Sequence, residues 1–184
     1  MRDEKSVTCR CGKVSFGMAG PPISTASCYC ADCRRAGELF ERLPSAPPVL
    51  DVDGGTALVL YRKDRVGCVA GLEHLEALRL SPNSPTRRIL ATCCNSAMCL
   101  DFTKGHWVSL YRNRISVGAP PIQMRVMTKD RRAGVVLGDD LPNYEKYPGK
   151  FMLKLMAAWI AMGFARADMG LGDIPQSTFD GATV

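Results

Sequence analysis

From Val7 to about Asn113 the chain alternates short apolar runs with turn residues, the pattern of small strands joined by tight connections. Lys13-Val14-Ser15-Phe16 alternates and reads as a strand. Val49 to Val52 runs into Asp53-Gly54-Gly55, a turn signal, and Ala57 to Tyr61 resumes the apolar pattern, which predicts a β-hairpin. Further strands are expected at Val66 to Ala70, Leu75 to Leu80, Arg88 to Thr92 and His106 to Tyr111, each bounded by Gly, Pro, Asn or Ser.

Gly118-Ala119-Pro120-Pro121 interrupts that pattern, and Lys129 to Arg132 is a polar stretch of loop character. Beyond Pro148-Gly149, the segment from Lys150 to Met169 is rich in Met, Ala and Leu and free of proline, which predicts a helix. Only Lys150, Lys154, Arg166 and Asp168 are charged there, so the helix is expected to be covered on more than one side. Either the chain's own core or a second copy of the chain would supply that cover, the latter making a homo-oligomer through the C-terminal helix. The apolar stretch Leu155 to Ala165 falls short of the roughly 20 residues a bilayer span needs, and no membrane partner is expected. The fold class expected is mainly β with a C-terminal α-helix. Residues 1–117 would form the β domain, and 118–184 an extension, helical at about 150–169, packed on it.

Composition changes this picture little. With 46% hydrophobic and 23% charged residues over 184 positions, the chain is an ordinary globular one, which argues against disorder. Met1 to Lys5 carries both charge signs and no apolar run follows, so export by a signal peptide is not expected and the protein is placed in the cytoplasm. The net charge of +6 favours anionic small molecules. The doublets Arg34-Arg35, Arg87-Arg88 and Arg131-Arg132 are scattered, with few aromatics beside them, and no nucleic-acid partner is expected.

Nine cysteines change it a great deal. In a reducing compartment, closely spaced thiols point to a metal rather than to disulfides. Cys9-Arg10-Cys11-Gly12 is a C-x-C pair whose glycine can take positive φ, as a metal knuckle requires. Cys28-Tyr29-Cys30-Ala31-Asp32-Cys33 sets three thiols within six residues. Three thiolates on one Zn²⁺ leave a tetrahedral position vacant, the mark of a catalytic rather than a structural site. Arg34 and Arg35 beside them would offset the negative charge and attract a carboxylate-bearing substrate. The late group Cys93-Cys94-Asn95-Ser96-Ala97-Met98-Cys99 adds Cys94, Cys93 or, in reserve, Cys99, provided that the chain turns at Asn95, because adjacent strand side chains face opposite ways. One or two zinc ions per chain are expected. Cys68 reads as a strand thiol outside the metal scheme. His74 and His106 leave little material for a histidine-based site, and no Gly-rich phosphate loop, G-x-S-x-G or H-E-x-x-H occurs. Tyr29 and Asp32 are the nearest acid–base groups to the three cysteines.

The order C-x-C-G, then C-x-C-x-x-C with a following arginine, then a late cysteine pair resembles the glutathione-dependent formaldehyde-activating enzyme (GFA) family. The resemblance runs from about Val7 to Tyr111 and includes Asp53-Gly54-Gly55-Thr56 and Leu78-Arg79-Leu80-Ser81. It implies an Mss4-like fold of small antiparallel sheets around zinc knuckles. It also implies a closed site of Cys9, Cys11 and the pair Cys93–Cys94, and a catalytic site of Cys28, Cys30 and Cys33 handling a glutathione adduct. Relatives of this kind are carbon–sulfur lyases. Alternatively, both sites serve only to fold a binding or oligomerisation module. This chain has Tyr29 where the family has histidine, and Cys93-Cys94-Asn95 where it has C-x-x-C-G, and so looks like a divergent branch.

Overall fold

Alternation with a period of two builds most of this chain, and the strands it makes surround one element in particular. The structure, a computed structural model, describes residues 6–165 and 167–179. Met1 to Lys5 and Arg166, which entered the sequence reading, lie outside the described residues. In chain order the elements are β1 (Ser6–Thr8), β2 (Ser15–Met18), β3 (Ser24–Cys28), α1 (Ala31–Glu41), β4 (Thr56–Arg62), β5 (Val66–Ala70), β6 (Leu75–Arg79), β7 (Thr86–Ala91), β8 (Ser96–Phe102), β9 (Trp107–Tyr111), β10 (Arg125–Val126), α2 (Gly149–Ile160) and β11 (Gln176–Thr178). The protein is mainly β, with a helix near its C-terminal end.

Strands β1, β2 and β5 form a three-stranded sheet. The other eight form a second sheet in the order β10-β3-β4-β9-β8-β7-β6-β11. Its inner pairings are antiparallel, while β10 runs parallel to β3 and β11 parallel to β6. Residues beyond 118 thus cover both edges of the large sheet, edges that would otherwise present unpaired backbone groups to other chains.

Strand β4 shows why the core has two halves. Val59 and Tyr61 face one way and pack with Val7, Phe16 and Val66 of the small sheet. Leu58 and Leu60 face the other way and pack with Ala36 and Phe40 of α1 and with Phe151 and Leu155 of α2. A strand buried on both faces reads as a continuous apolar run, which is what Ala57 to Tyr61 is. Each fully buried side chain of this kind contributes roughly 1.5–3 kcal/mol.

Three expectations need correction. Val49 to Val52 forms no strand, and Val52 is fully exposed. Both sides of β4 are taken by β3 and β9, so no edge remains for a hairpin partner. The turn signal itself is real, with Gly54 N–H bonded to Asp51 O and Asp51 N–H to Gly55 O, each at 2.8 Å. Next, helix α1 lies inside the region read as strands. Cys33, Ala36, Gly37 and Phe40 form its buried face, and Gly37 sits so close to Leu50 that a Cβ there would collide with that side chain.

The third correction concerns α2, which is shorter than expected. It ends at Ile160, where Phe164 N–H reaches back to Trp159 O at 3.1 Å and both Gly163 and Phe164 take positive φ, a left-handed helix stop. The chain buries only Phe151 and Leu155 of the helix. Met152, Leu153, Met156 and Ile160 are exposed, so the chain's own core covers one side rather than several. No helix of the described residues is long and apolar enough to cross a membrane.

Candidate metal centres and active site

Two sets of sulfur atoms converge, each with all its Sγ atoms within 4.8 Å of one another: Cys9, Cys11, Cys93 and Cys94 in one, and Cys28, Cys30 and Cys33 in the other. The first set joins the loop after β1 to the turn between β7 and β8. Gly12, at φ +79°, lets that loop fold back, so that Gly12 N–H meets Cys9 O at 3.0 Å and Val14 N–H meets Cys9 Sγ at 3.3 Å. Opposite it, Asn95 at φ 51° makes the turn that brings both Cys93 and Cys94 inward. Cys99 is buried in the core, outside the set, and Cys68 is half-buried on β5, also outside it.

The spacing of these sulfurs tests whether a metal fits. Tetrahedral zinc with Zn–S of about 2.3 Å needs sulfurs about 3.8 Å apart. Cys9–Cys11, Cys9–Cys93, Cys11–Cys93 and Cys93–Cys94 lie at 3.6, 3.8, 3.4 and 3.9 Å. The set therefore fits a four-coordinate ion. Burial pushes the Cys94 thiol up, but hydrogen bonds from Ser96 and from the Cys11 backbone outweigh it and bring the thiol down to about 6.

The second set is built on a strand-to-helix corner. Cys28 ends β3, Cys30 caps α1, and Cys33 lies in its first turn. Cys33 N–H points to Cys30 Sγ at 3.4 Å, so the sulfur takes the place of a capping oxygen and meets the positive end of the helix dipole. Hydrogen bonds from the Cys28 and Cys33 thiols, together with that N–H and the charge of Arg88, bring Cys30 down to about 3. Its neighbours move the other way: Cys28 rises to about 12 and Cys33 rises as well, each chiefly through thiol hydrogen bonding within the cluster. One sulfur in each set is thereby held ready as an anion.

Arg34 is half-buried and Arg35 exposed on α1, and neither side chain makes a hydrogen bond or ion pair among the described residues. The arginine that meets the cluster is Arg88, from β7. It is 2% exposed, its Nη2 lies 3.3 Å from Asp32 O, and its Nε and Nη1 have no partner among the described residues. Tyr29 turns away from the cysteines and donates to Asp53 Oδ2 at 2.6 Å, and the Asp32 side chain is exposed.

A hollow of about 230 Å³ opens against Cys28 and Cys33. Leu58 and Leu60 of β4 and Trp107 of β9 line it on the sheet side, and Phe151 and Leu155 of α2 close it from above. Tyr147, stacked on Phe151 at 5.4 Å, places its hydroxyl 3.9 Å from Cys28 Sγ. A second hollow of about 270 Å³, sharing Trp107, Met152 and Leu155 with the first, lies between Met156 and Trp159 and the His106–Trp107 segment.

Residues 4–45 match the family model described as glutathione-dependent formaldehyde-activating enzyme. The match takes in less than a quarter of the chain, and the likeness to GFA is that of this segment. It covers Cys9, Cys11, Cys28, Cys30 and Cys33; the GFA-like segment is thus completed, at the first sulfur set, by Cys93 and Cys94 from beyond the matched residues. A crystal structure of a Rhodobacter sphaeroides protein is similar at 15% identity, over 62% of this chain and 91% of that chain, with a TM-score of 0.46. No curated protein matches the chain.

Arg88 and Tyr147 also lie outside the GFA match, and no local motif announces either. Arg88 belongs to a doublet whose partner, Arg87, pairs with Asp101 at 2.6 Å in the ordinary way. The only hint in the sequence is its place in an alternating strand, where Arg88, Leu90 and the cysteine-side core share one face.

Proposed function

We propose that this protein is a zinc-thiolate enzyme of GFA type, in which Cys9, Cys11, Cys93 and Cys94 hold a structural ion. Cys28, Cys30 and Cys33 would form the centre at which a carbon–sulfur bond of a small-thiol adduct is made or broken. The observation that carries this reading is the unequal donor count: four sulfurs in the first set, and three in the second with a hollow open against two of them, Cys28 and Cys33. Zinc at the second set would stabilise a bound thiol as its thiolate at neutral pH.

The rest of the work falls to the chain. In the lyase direction the C–S bond of a hydroxyalkyl thioether breaks with its electron pair going to sulfur, while the hydroxyl carbon becomes a carbonyl and its proton leaves to solvent. Tyr147 Oη, at the mouth beside Cys28, is placed to hydrogen-bond the adduct's oxygen and orient it. Arg88 supplies a fixed positive charge behind Cys30, and α1 directs its N-terminus at the same sulfur. The apolar walls of α2 and β4 would pack against the adduct's carbon. Glutathione is the thiol that the family's name points to, and the cytoplasm is where it is abundant.

The test is direct. Formaldehyde mixed with a thiol exchanges with its hydroxymethyl adduct, and the purified protein should broaden the adduct's NMR lines by speeding that exchange. Protein carrying two metal ions per chain that left the lines unchanged would overturn the enzymatic reading.

One observation favours a second reading, a zinc-stabilised module that associates through α2. Leu153 and Ile160 are 70% and 57% exposed. If that face joins two copies, Leu153→Glu with Ile160→Glu lowers the mass measured by light scattering while metal content holds.

A further inference from the structure

We propose that the hollow beside Cys28 and Cys33 selects a small, uncharged, apolar thiol, or the aldehyde adduct of one, in preference to glutathione. The inference rests on reading that centre as thiol-binding and adds the class of thiol.

The lining decides the class. No Lys, Arg, His, Asp or Glu side chain lines the hollow. Glutathione carries two carboxylates and an ammonium group, and burying such charges without partners costs several kcal/mol or more. The basic residues near the cysteines are not part of that surface. Neither Arg34 nor Arg35 lines the hollow, and Arg88, also absent from the lining, is enclosed at 2% exposure.

Size and polarity narrow the choice. An apolar cavity of about 150 Å³ accepts a benzene ring. The about 230 Å³ available here therefore suits one ring with a short arm, or a comparable aliphatic chain. The hydroxyl groups of Ser109 and Tyr147 are the lining's side-chain oxygens, and Tyr147 stands next to Cys28. A ligand thus meets sulfur and a hydroxyl at one end and Leu58, Leu60, Trp107 and Phe151 at the other. That arrangement matches a molecule with one polar head, its thiol or hemithioacetal, and an apolar tail.

Isothermal titration calorimetry of the purified full chain, with metal content measured per chain, tests this with phenylmethanethiol and glutathione as the two titrants. Phenylmethanethiol should bind at least tenfold more tightly. Ala26→Leu, which fills the floor, and Met152→Glu, which sets a charge at the exposed mouth, should each weaken its binding at least fivefold with metal content unchanged. Met152→Glu alters a half-exposed side chain and decides the matter if Ala26→Leu does not fold. Glutathione binding as tightly as phenylmethanethiol would overturn the proposed class and leave the thiol centre standing. If neither thiol binds a chain carrying two ions, the thiol-centre reading falls, and this proposal with it. Phenylmethanethiol binding that both variants leave unchanged would place the ligand elsewhere and also overturn the proposal.

Discussion

Arg88 holds its guanidinium against the backbone of Asp32, with Nη2 3.3 Å from the carbonyl oxygen, inside the first turn of the helix that carries Cys33. A cation at a helix N-terminus opposes the dipole, and a buried one with two unsatisfied nitrogens carries a desolvation cost of several kcal/mol. No carboxylate of the described residues pairs with it. The anion that offsets both costs is the Cys30 thiolate, which the charge of Arg88 in turn favours. Arg88→Met should therefore weaken metal retention at the second set by about 10–100-fold, the usual effect of losing a group that supports metal ligands. Arg88→Lys should keep part of it. Chelator competition with metal counted per chain reads both, and equal retention in wild type and Arg88→Met would show that the charge serves packing alone.

The four-sulfur set ties the loop after β1 to a turn some eighty residues later, so an ion held there would close a long loop and contribute to folding itself. Removing metal with a strong chelator, or replacing Cys9 or Cys11 by Ser, should lower the melting midpoint by at least about 10 °C, given that about 1 kcal/mol moves a chain of this size by about 2–4 °C. Identical melting of metal-free and metal-loaded protein would contradict a structural role.

Cys30→Ser should behave differently. Serine caps helices well, so α1 keeps its first turn while the sulfur is lost. The variant is expected to melt within about 5 °C of wild type, by the same scale, and to keep the ion of the four-sulfur set. Its heat of binding for thiols should vanish. A Cys30→Ser chain that unfolds as readily as Cys9→Ser would make the second set structural as well.

Acid should loosen the seat of α2. His106 donates from Nε2–H to Leu155 O at 2.8 Å and stacks on Trp159 with rings 5.6 Å apart. Burial lowers its pKa, the bond to Leu155 raises it in part, and the charges of Lys63 and Arg62 lower it further. A histidine depressed in the folded state takes up more protons when unfolded, so stability rises with pH across this window. The contribution is fully present above about 6.5, the unfolded value, and is lost as pH falls toward the folded value. Melting midpoints should drop from pH 7 to pH 5 by more in wild type than in His106→Gln, whose amide can keep a bond to Leu155 O without titrating.

The cysteine spacings were readable because thiolates at one- and two-residue separations have few uses besides metal, and the turn at Asn95 could be argued from its left-handed tolerance. Strands at Val66–Ala70, Leu75–Arg79 and Trp107–Tyr111 followed from alternation bounded by turn residues. Helix α1 did not, because Arg34, Arg35, Glu38 and Glu41 fill its outer face and leave a narrow buried stripe over only three turns. The false hairpin at Val49 to Val52 has a different cause: Asp53-Gly54-Gly55 announces a turn, while strand partners are chosen by contacts distant in sequence. For the same reason Arg88 and Tyr147, which reach Asp32 and Cys28 across 56 and 119 residues, carried no local sign.

The three-sulfur corner comes from β3 and α1, whereas the roof of the hollow comes from α2, more than a hundred residues later. In the proposed reading, the sulfurs and the fit are thus written on separate stretches of the chain. Changes at Phe151, Met152 or Leu155 would reshape what enters while leaving every cysteine in place, and the proposed chemistry would be retargeted by redrawing one helix. For an engineer, those three positions form a compact library in which every member inherits the three-sulfur corner.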